Sequence, residues 1–117
     1  MLLLHNRKEL VNIMLNPLCS IIVAAYNEEN NVRQCLDCLV NQTYENIEVI
    51  IVDDGSIDQT SSIIHTYVQK YSYIKYFYQE KEDDKEERKM GLNQAKGDFI
   101  TFLDCDDEFH LDTVEKA

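Results

Sequence analysis

Three carboxylates close the run Phe99-Ile100-Thr101-Phe102-Leu103-Asp104-Cys105-Asp106-Asp107. The run opens apolar, so it reads as a buried strand with an acidic mouth. On extended backbone, residues i and i+2 point to the same side, so Asp104 and Asp106 can face one ligand. Such a D-x-D suits a hard divalent cation. Mg²⁺ and Mn²⁺ take oxygen ligands and borrow several from substrate phosphates and water. A second acidic turn, Asp53-Asp54-Gly55-Ser56, closes the run Ile47-Glu48-Val49-Ile50-Ile51-Val52. Two acidic strand ends suit a divided task. One carboxylate accepts hydrogen bonds from a base or ribose, and another binds the cation that carries a diphosphate.

Those turns need a scaffold, and the rest of the chain supplies its pattern. Ser20-Ile21-Ile22-Val23-Ala24-Ala25 is β-branched and apolar, as in strands buried inside parallel sheets. Tyr26-Asn27-Glu28-Glu29-Asn30-Asn31 is the loop after it, with Asn27 or Asn30 as N-cap of a helix that runs to about Asn41. Val32, Cys35, Leu36, Leu39 and Val40 mark its buried face at helical spacing. Residues 41–46 are a polar connection to the second strand, which covers 47–52. Ser56, Asp58 and Thr60 offer N-caps for a helix over about 60–71, with Ile63, Ile64, Tyr67 and Val68 as its stripe. His65 lies on that helix and reads as a surface or edge residue. Ile74-Lys75-Tyr76-Phe77-Tyr78 is a third strand. The charged run Gln79–Lys89 reads as a solvated loop leading into a helix. Met90, Leu92 and Ala95 continue that helix to near Lys96, with Gly97 as its C′ residue. The fourth strand follows, and His110 begins a further helix.

The order β-α-β-α-β-α-β predicts a doubly wound, mostly parallel α/β sheet with right-handed crossovers. In such sheets ligands sit beyond the carboxyl ends of the strands, where strand order reverses. Topology therefore brings together the loops Tyr26–Asn30, Asp53–Asp58 and Asp104–Glu108.

Composition narrows the ligand. The 117 residues correspond to about one domain. A net charge of −11 argues against a nucleic-acid partner bound through a basic face. One Pro and three Gly are too little turn chemistry for an all-β sandwich. Cys19, Cys35, Cys38 and Cys105 complete no zinc set and read as reduced thiols in a cytoplasmic compartment. The C-x-x-C at Cys35 and Cys38 follows the packing stripe. No run is long and apolar enough for a transmembrane segment. Residues 1–17 read as an N-terminal extension, with Met14 as an alternative start. There is no G-x-G-x-x-G after the first strand and no G-x-x-x-x-G-K-[ST]. A phospho-acceptor domain would carry a Lys at the later strand end, where this chain has acids.

The runs Ser20–Glu29, Val52–Asp58, Ala95–Ile100 and Phe102–Asp107, with Asn41-Gln42-Thr43-Tyr44 between them, resemble the N-terminal half of the family 2 glycosyltransferases. The likeness covers about residues 18–110, with the motifs in order. It implies a GT-A fold, a Rossmann-like α/β/α sandwich, and a nucleotide-sugar donor, usually a UDP-sugar. By this resemblance Tyr26 lies against the base and Asp54 binds its polar edge. Ala24 and Glu28 line the same pocket. Asp104 touches ribose or sugar, Asp106 holds Mn²⁺ or Mg²⁺ at the diphosphate, and Asp107 shares either role. Arg88 lies near the nucleotide and offsets the acids.

The implied reaction is sugar transfer from the donor to a glycan or lipid-linked acceptor, usually with inversion. The metal stabilises the charge on the leaving diphosphate, and an acidic group takes the acceptor proton. It also implies a cytoplasmic enzyme, with peripheral association at the inner face of the membrane. Ala24 stands where the family often has Pro, Lys89 where it often has Asn, and Glu82–Glu87 where it usually has a Gly-containing loop. In this family the acceptor half and the base follow the D-x-D loop, and this chain ends about ten residues beyond it. Residues 18–117 are thus expected to form a donor-binding part truncated after that loop, with little transfer by itself. Asp112 and Glu115 read as helix-surface acids, not as the base. The alternative is a non-catalytic nucleotide-sugar-binding fragment or module.

Overall fold

The computed structural model describes residues 15–81 and 84–106. Most of the N-terminal extension, Met14, Glu82, Asp83, Asp107 and the helix expected from His110, with Asp112 and Glu115, lie outside the described residues. The elements are β1 (Cys19–Ala25), α1 (Val32–Val40), β2 (Ile47–Asp53), α2 (Thr60–Lys70), β3 (Ile74–Tyr78), α3 (Asp84–Gln94) and β4 (Phe99–Asp104). The strands form one sheet in the order β3-β2-β1-β4, and every pairing is parallel. Strand order reverses beside β1, so the crevice expected of a doubly wound sheet opens between β1 and β4.

β2 forms because it is mostly β-branched, and β1 has a β-branched centre, Ile21-Ile22-Val23, between small residues. Both of their faces are covered, and Ile21, Val23, Val49, Ile50, Ile51 and Val52 are fully buried. Val32, Cys35, Leu36 and Leu39 of α1 and Ile64 of α2 pack on the face that carries Ile21, Val23, Val49 and Ile51. Burying each of the larger side chains contributes about 1.5–3 kcal/mol. Met90 and Ala95 pack on the opposite face, against Ile22, Ile50 and Val52. That division follows from the connections. β1→β2→β3 steps one way across the sheet, whereas the crossover to β4 returns past β1. The edge strand β4 keeps Phe99, Ile100 and Phe102 exposed.

Helix ends depart from the expected caps. The N-cap of α1 is Asn31, with no side-chain cap bond, and Glu28 O accepts from Val32 N instead. The N-cap of α2 is Gln59, although Asp58 Oδ1 still accepts from Thr60 N at 2.9 Å. α3 ends at Gln94, so Gly97 is not its C′ residue. Among the described residues the only glycine with positive φ is Gly55. Gly97 serves a close approach. Its N–H donates to Ser20 Oγ at 2.8 Å, and Ser20 Oγ donates to Glu48 Oε2 at 2.5 Å. Lys96 N donates to the same carboxylate oxygen at 2.6 Å, and Lys75 Nζ lies 3.8 Å from its other oxygen. A buried glutamate at the amino end of the sheet thus fastens the start of β4 to β1 and β2.

A Cβ on Gly97 would lie 2.5 Å from Ser20 Oγ, 2.7 Å from Ser20 N and 2.9 Å from Leu18 O. Two of these atoms are backbone, so little can yield. Gly97→Ala is expected to cost about 1–3 kcal/mol. It should lower the urea midpoint while leaving the denaturant slope unchanged.

Candidate donor-binding site

The last two carbonyls of β1 hold both acidic turns. Asp54 N donates to Ala25 O at 2.9 Å, and Cys105 N donates to Ala24 O at 3.2 Å. Tyr26 follows at once, with its ring partly exposed. The first loop is then sewn to the second. Asn27 stands at φ 50°, a conformation that Asn tolerates. Its N–H donates to Ser56 Oγ at 2.8 Å, and its Oδ1 accepts from Ile57 N at 2.9 Å. Glu28 N donates to Thr60 Oγ1 at 2.7 Å, and Glu29 N to Asp58 Oδ2 at 3.3 Å. Burial opposes ionisation of Asp58, but the bonds from Thr60 and Glu29 outweigh it and hold the carboxyl below its ordinary range.

The two acids of the second turn do different work. Asp53 is fully buried, where its Oδ1 accepts from Ser56 N at 2.9 Å and its Oδ2 from the Tyr76 hydroxyl at 2.6 Å. It shapes the turn. Asp54 is also fully buried, but its partners come from the chain just after β3. Gln79 Nε2 donates to Oδ1 at 2.9 Å, and Lys81 Nζ donates to Oδ2 at 2.9 Å. The Lys81 ammonium lies 4.3 Å from the Tyr26 ring centroid. Its bond to Asp54 raises it above the ordinary lysine value. Gly55 makes this approach possible. Its φ is +86°, and a Cβ there would stand 2.9 Å from Lys81 N.

At the other end, Asp104 and Asp106 are exposed while Cys105 between them is buried. β4 ends at Asp104, and Cys105 and Asp106 form the turn after it, so the alternation of burial runs past the strand end. A bond to the Cys35 thiol, then burial, push the Cys105 thiol up, so it stays protonated. Cys105 is buried, so the exposed donors of this turn are the carboxylate oxygens of Asp104 and Asp106. Asp104, Ala24, Arg88, Glu87, Ile22 and Phe102 line one cavity of about 140 Å³ between β1, β4 and α3. Arg88 thus shares this cavity with Asp104 and Glu87. Glu28 is placed differently. Its carboxylate accepts from Asn31 Nδ2 at 2.9 Å, and its carbonyl starts α1.

Two exposed carboxylates of oxygen chemistry suit Mn²⁺ or Mg²⁺, which complete their shells with phosphate and water. Among the described residues no group of three acidic, His or Cys side chains could hold an ion by itself. The structure thus brings Ala24, Arg88 and Asp104 around one cavity and Tyr26 and Asp54 around Lys81. Asp106 is exposed two residues beyond Asp104, and Asp107 is outside the described residues. Lys81 and Gln79 escaped the sequence reading. Their only signal was position, directly after a strand at the ligand end of the sheet, and the surrounding charge run concealed it. The four cysteines are free thiols. The His65 ring packs against Tyr76 in a tilted arrangement, with ring centroids 4.7 Å apart and an interplanar angle of 55°.

Residues 20–117 match the family described as Glycosyl transferase family 2. The chain belongs to that family. It is 41% identical over 96 residues to the glycosyltransferase GlyA of Streptococcus pneumoniae, covering 82% of this chain and 14% of that protein. It is 35% identical over 102 residues to GlyG of the same organism, covering 86% and 34%. Among solved structures, TarS 1–349 of S. aureus superposes with a TM-score of 0.77 at 33% identity, over 84% of this chain and 30% of that one. TarS has also been solved with UDP-GlcNAc. The mannosyltransferase PcManGT of Pyrobaculum calidifontis, in complex with GDP-Man and Mn²⁺, superposes with a TM-score of 0.74 at 25% identity, over 78% and 28%. The fold is the expected GT-A one. The chain spans about a third or less of the length of each of these proteins. No described helix is long and apolar enough to cross a membrane.

Burial, then the bond to Asp53, push the Tyr76 hydroxyl up to about 12. The folded value exceeds the unfolded one of about 10, so this stabilisation is full below pH 10 and is lost as pH rises towards 12. Tyr67 is also pushed up to about 12, by burial and then Asp37. Tyr76→Phe is expected to lower stability by about 1 kcal/mol near neutrality. It should also flatten part of the alkaline decline, with the Tyr67 share remaining. Urea titrations at stepped pH read both effects.

Proposed function

We propose that the chain carries the donor site of a metal-dependent glycosyltransferase that takes a sugar from a nucleotide diphosphate, most simply a UDP-sugar. One observation carries the reading. Adjacent carbonyls of β1 receive the N–H of Asp54 on one side and the N–H of Cys105, the middle residue of the D-x-D, on the other. A nucleotide laid across the end of β1 meets an aromatic face and a buried acceptor at one end. At its other end it meets two carboxylates, with Arg88 in the adjoining cavity. Asp104 contacts ribose or sugar in this reading. Asp106 holds the ion, with Asp107 beside it, and Ala24 and Glu28 border the first loop. A bound divalent cation supplies charge stabilisation to the departing diphosphate. The protein residues orient the donor and keep its leaving group against the sheet end. UDP-GlcNAc in TarS and GDP-Man with Mn²⁺ in PcManGT support this use of the fold. The acceptor is a glycan or lipid-linked sugar, the outcome is inversion, and the parent enzyme works in the cytoplasm at the membrane face.

Calorimetric titration of UDP into the chain tests the site. Binding is expected with Mn²⁺ and is expected to vanish in its absence or in Asp106→Ala. Tyr26→Ala should weaken it by about tenfold, the loss of one base–aromatic stack. UDP binding indifferent to both Mn²⁺ and Asp106→Ala would overturn the reading.

A further inference from the structure

The D-x-D turn carries its two exposed carboxylates on either side of a buried thiol. Cys105 is 3% exposed, and its N–H donates to Ala24 O at 3.2 Å. Its side chain bonds the thiol of Cys35 on α1, which is 5% exposed. Both belong to the core cluster that also holds Ala25, Val32, Leu36 and Leu103. A single backbone bond sets how far a turn lies from its neighbour, yet the turn can still pivot about it. A second contact, made by the side chain, removes that freedom. The carboxylates need it, because like charges on one short turn repel and favour a splayed arrangement. A cation binds best where its ligands are already held in place. The Cys105 thiol, kept protonated, adds no further negative charge there.

α1 is itself fastened to the first loop. Val32 N donates to Glu28 O at 2.8 Å, and Cys35 N donates to Asn31 O at 3.0 Å. That loop is bonded in turn to the second acidic turn, through Asn27 and Ser56. Cys35 therefore joins the D-x-D turn to the frame that carries Tyr26 and Asp54. We propose that the Cys35–Cys105 thiol pair positions the D-x-D turn for its cation, holding Asp104 and Asp106 in one fixed relation to the first loop; this rests on the donor-site reading above. Neither thiol touches the ion or the donor. Both are positioning residues, and they act through the backbone of the turn. Without the bond the turn relaxes, the cation meets a looser pair of carboxylates, and more of it is needed to fill the site.

The test titrates Mn²⁺ into the full chain at a fixed concentration of UDP. Bound ion is read from the loss of the free Mn²⁺ paramagnetic resonance signal, against a blank of UDP alone. Cys35→Ala removes the bond, and Cys35→Val removes it while filling the space, so the core stays packed. Each is expected to raise the Mn²⁺ half-saturation by about three- to tenfold, the loss of one hydrogen bond. Cys35→Ser keeps a hydroxyl that can bond Cys105, and it should stay within about twofold of the unaltered chain. Cys19→Ala removes a buried thiol at the amino end of β1. It should lower the urea midpoint without moving the half-saturation. An unchanged half-saturation in Cys35→Ala and Cys35→Val overturns the proposal. So does an equal rise in Cys19→Ala, or a Cys35→Ser chain as weak as Cys35→Ala. If the unaltered chain binds no Mn²⁺ beyond the UDP blank, the donor-site reading and this proposal fall together.

Discussion

Two adjacent carbonyls at the end of β1 set where everything else in the site can be. β1 is central, with β2 on one side and β4 on the other. Its Ala25 carbonyl receives the N–H of Asp54, and its Ala24 carbonyl receives the N–H of Cys105. Neighbouring carbonyls of a strand point to opposite sides in the plane of the sheet, so one strand end can grip two loops. The loop that continues β1 has no choice but to rise between them. The proximity of an aromatic ring, a buried acid and two exposed acids is thus a property of parallel pairing, and it needs no contact among those side chains.

Charge is the second constraint. An acidic chain of net −11 gathers several carboxylates at one sheet end and has to stabilise them singly. It does so by depth. Asp53, wholly inside, is held by neutral donors, a hydroxyl and a backbone N–H. Asp54, equally buried, meets a cation that reaches in from the surface. Asp104 and Asp106 stay in water, where solvent screens them. Two acids adjacent in sequence end up in different electrostatic surroundings because Asp53 closes β2 while Asp54 lies just beyond it, against the chain that follows β3.

Strands, the helical stripe of α1 and the acidic mouths were legible in the sequence because each is a local pattern. Ser20–Ala25 and Ile47–Val52 are apolar and β-branched enough to be nothing else, and β3 begins and ends where its residue types predict. What could not be read depends on partners distant in sequence. Asn31 starts α1 instead of Asn27 or Asn30 because Asn27 is engaged with Ser56 and Ile57. Gly97 looked like a helix terminator, yet its small size answers to Ser20, 77 residues earlier. Lys81 looked like one charge in a solvated run. Only the pairing of β3 beside β2 shows that this lysine emerges next to Asp54. Arg88 came to attention through family likeness, and the fold gives it a cavity shared with Asp104.

The Ser20–Glu48–Gly97 contacts sit at the end of the sheet farthest from the ligand, about 20 Å from the D-x-D turn along β4. They nonetheless decide its parity. Side chains alternate along a strand, so a slip of one residue would exchange the two sets of faces. Asp104 and Asp106 would turn inward toward Cys35, and the Cys105 thiol would face the water. By clamping Gly97 to Ser20 and Asp98 to Leu18, the chain counts the strand from its first residue. The carboxylates face outward because the count starts correctly.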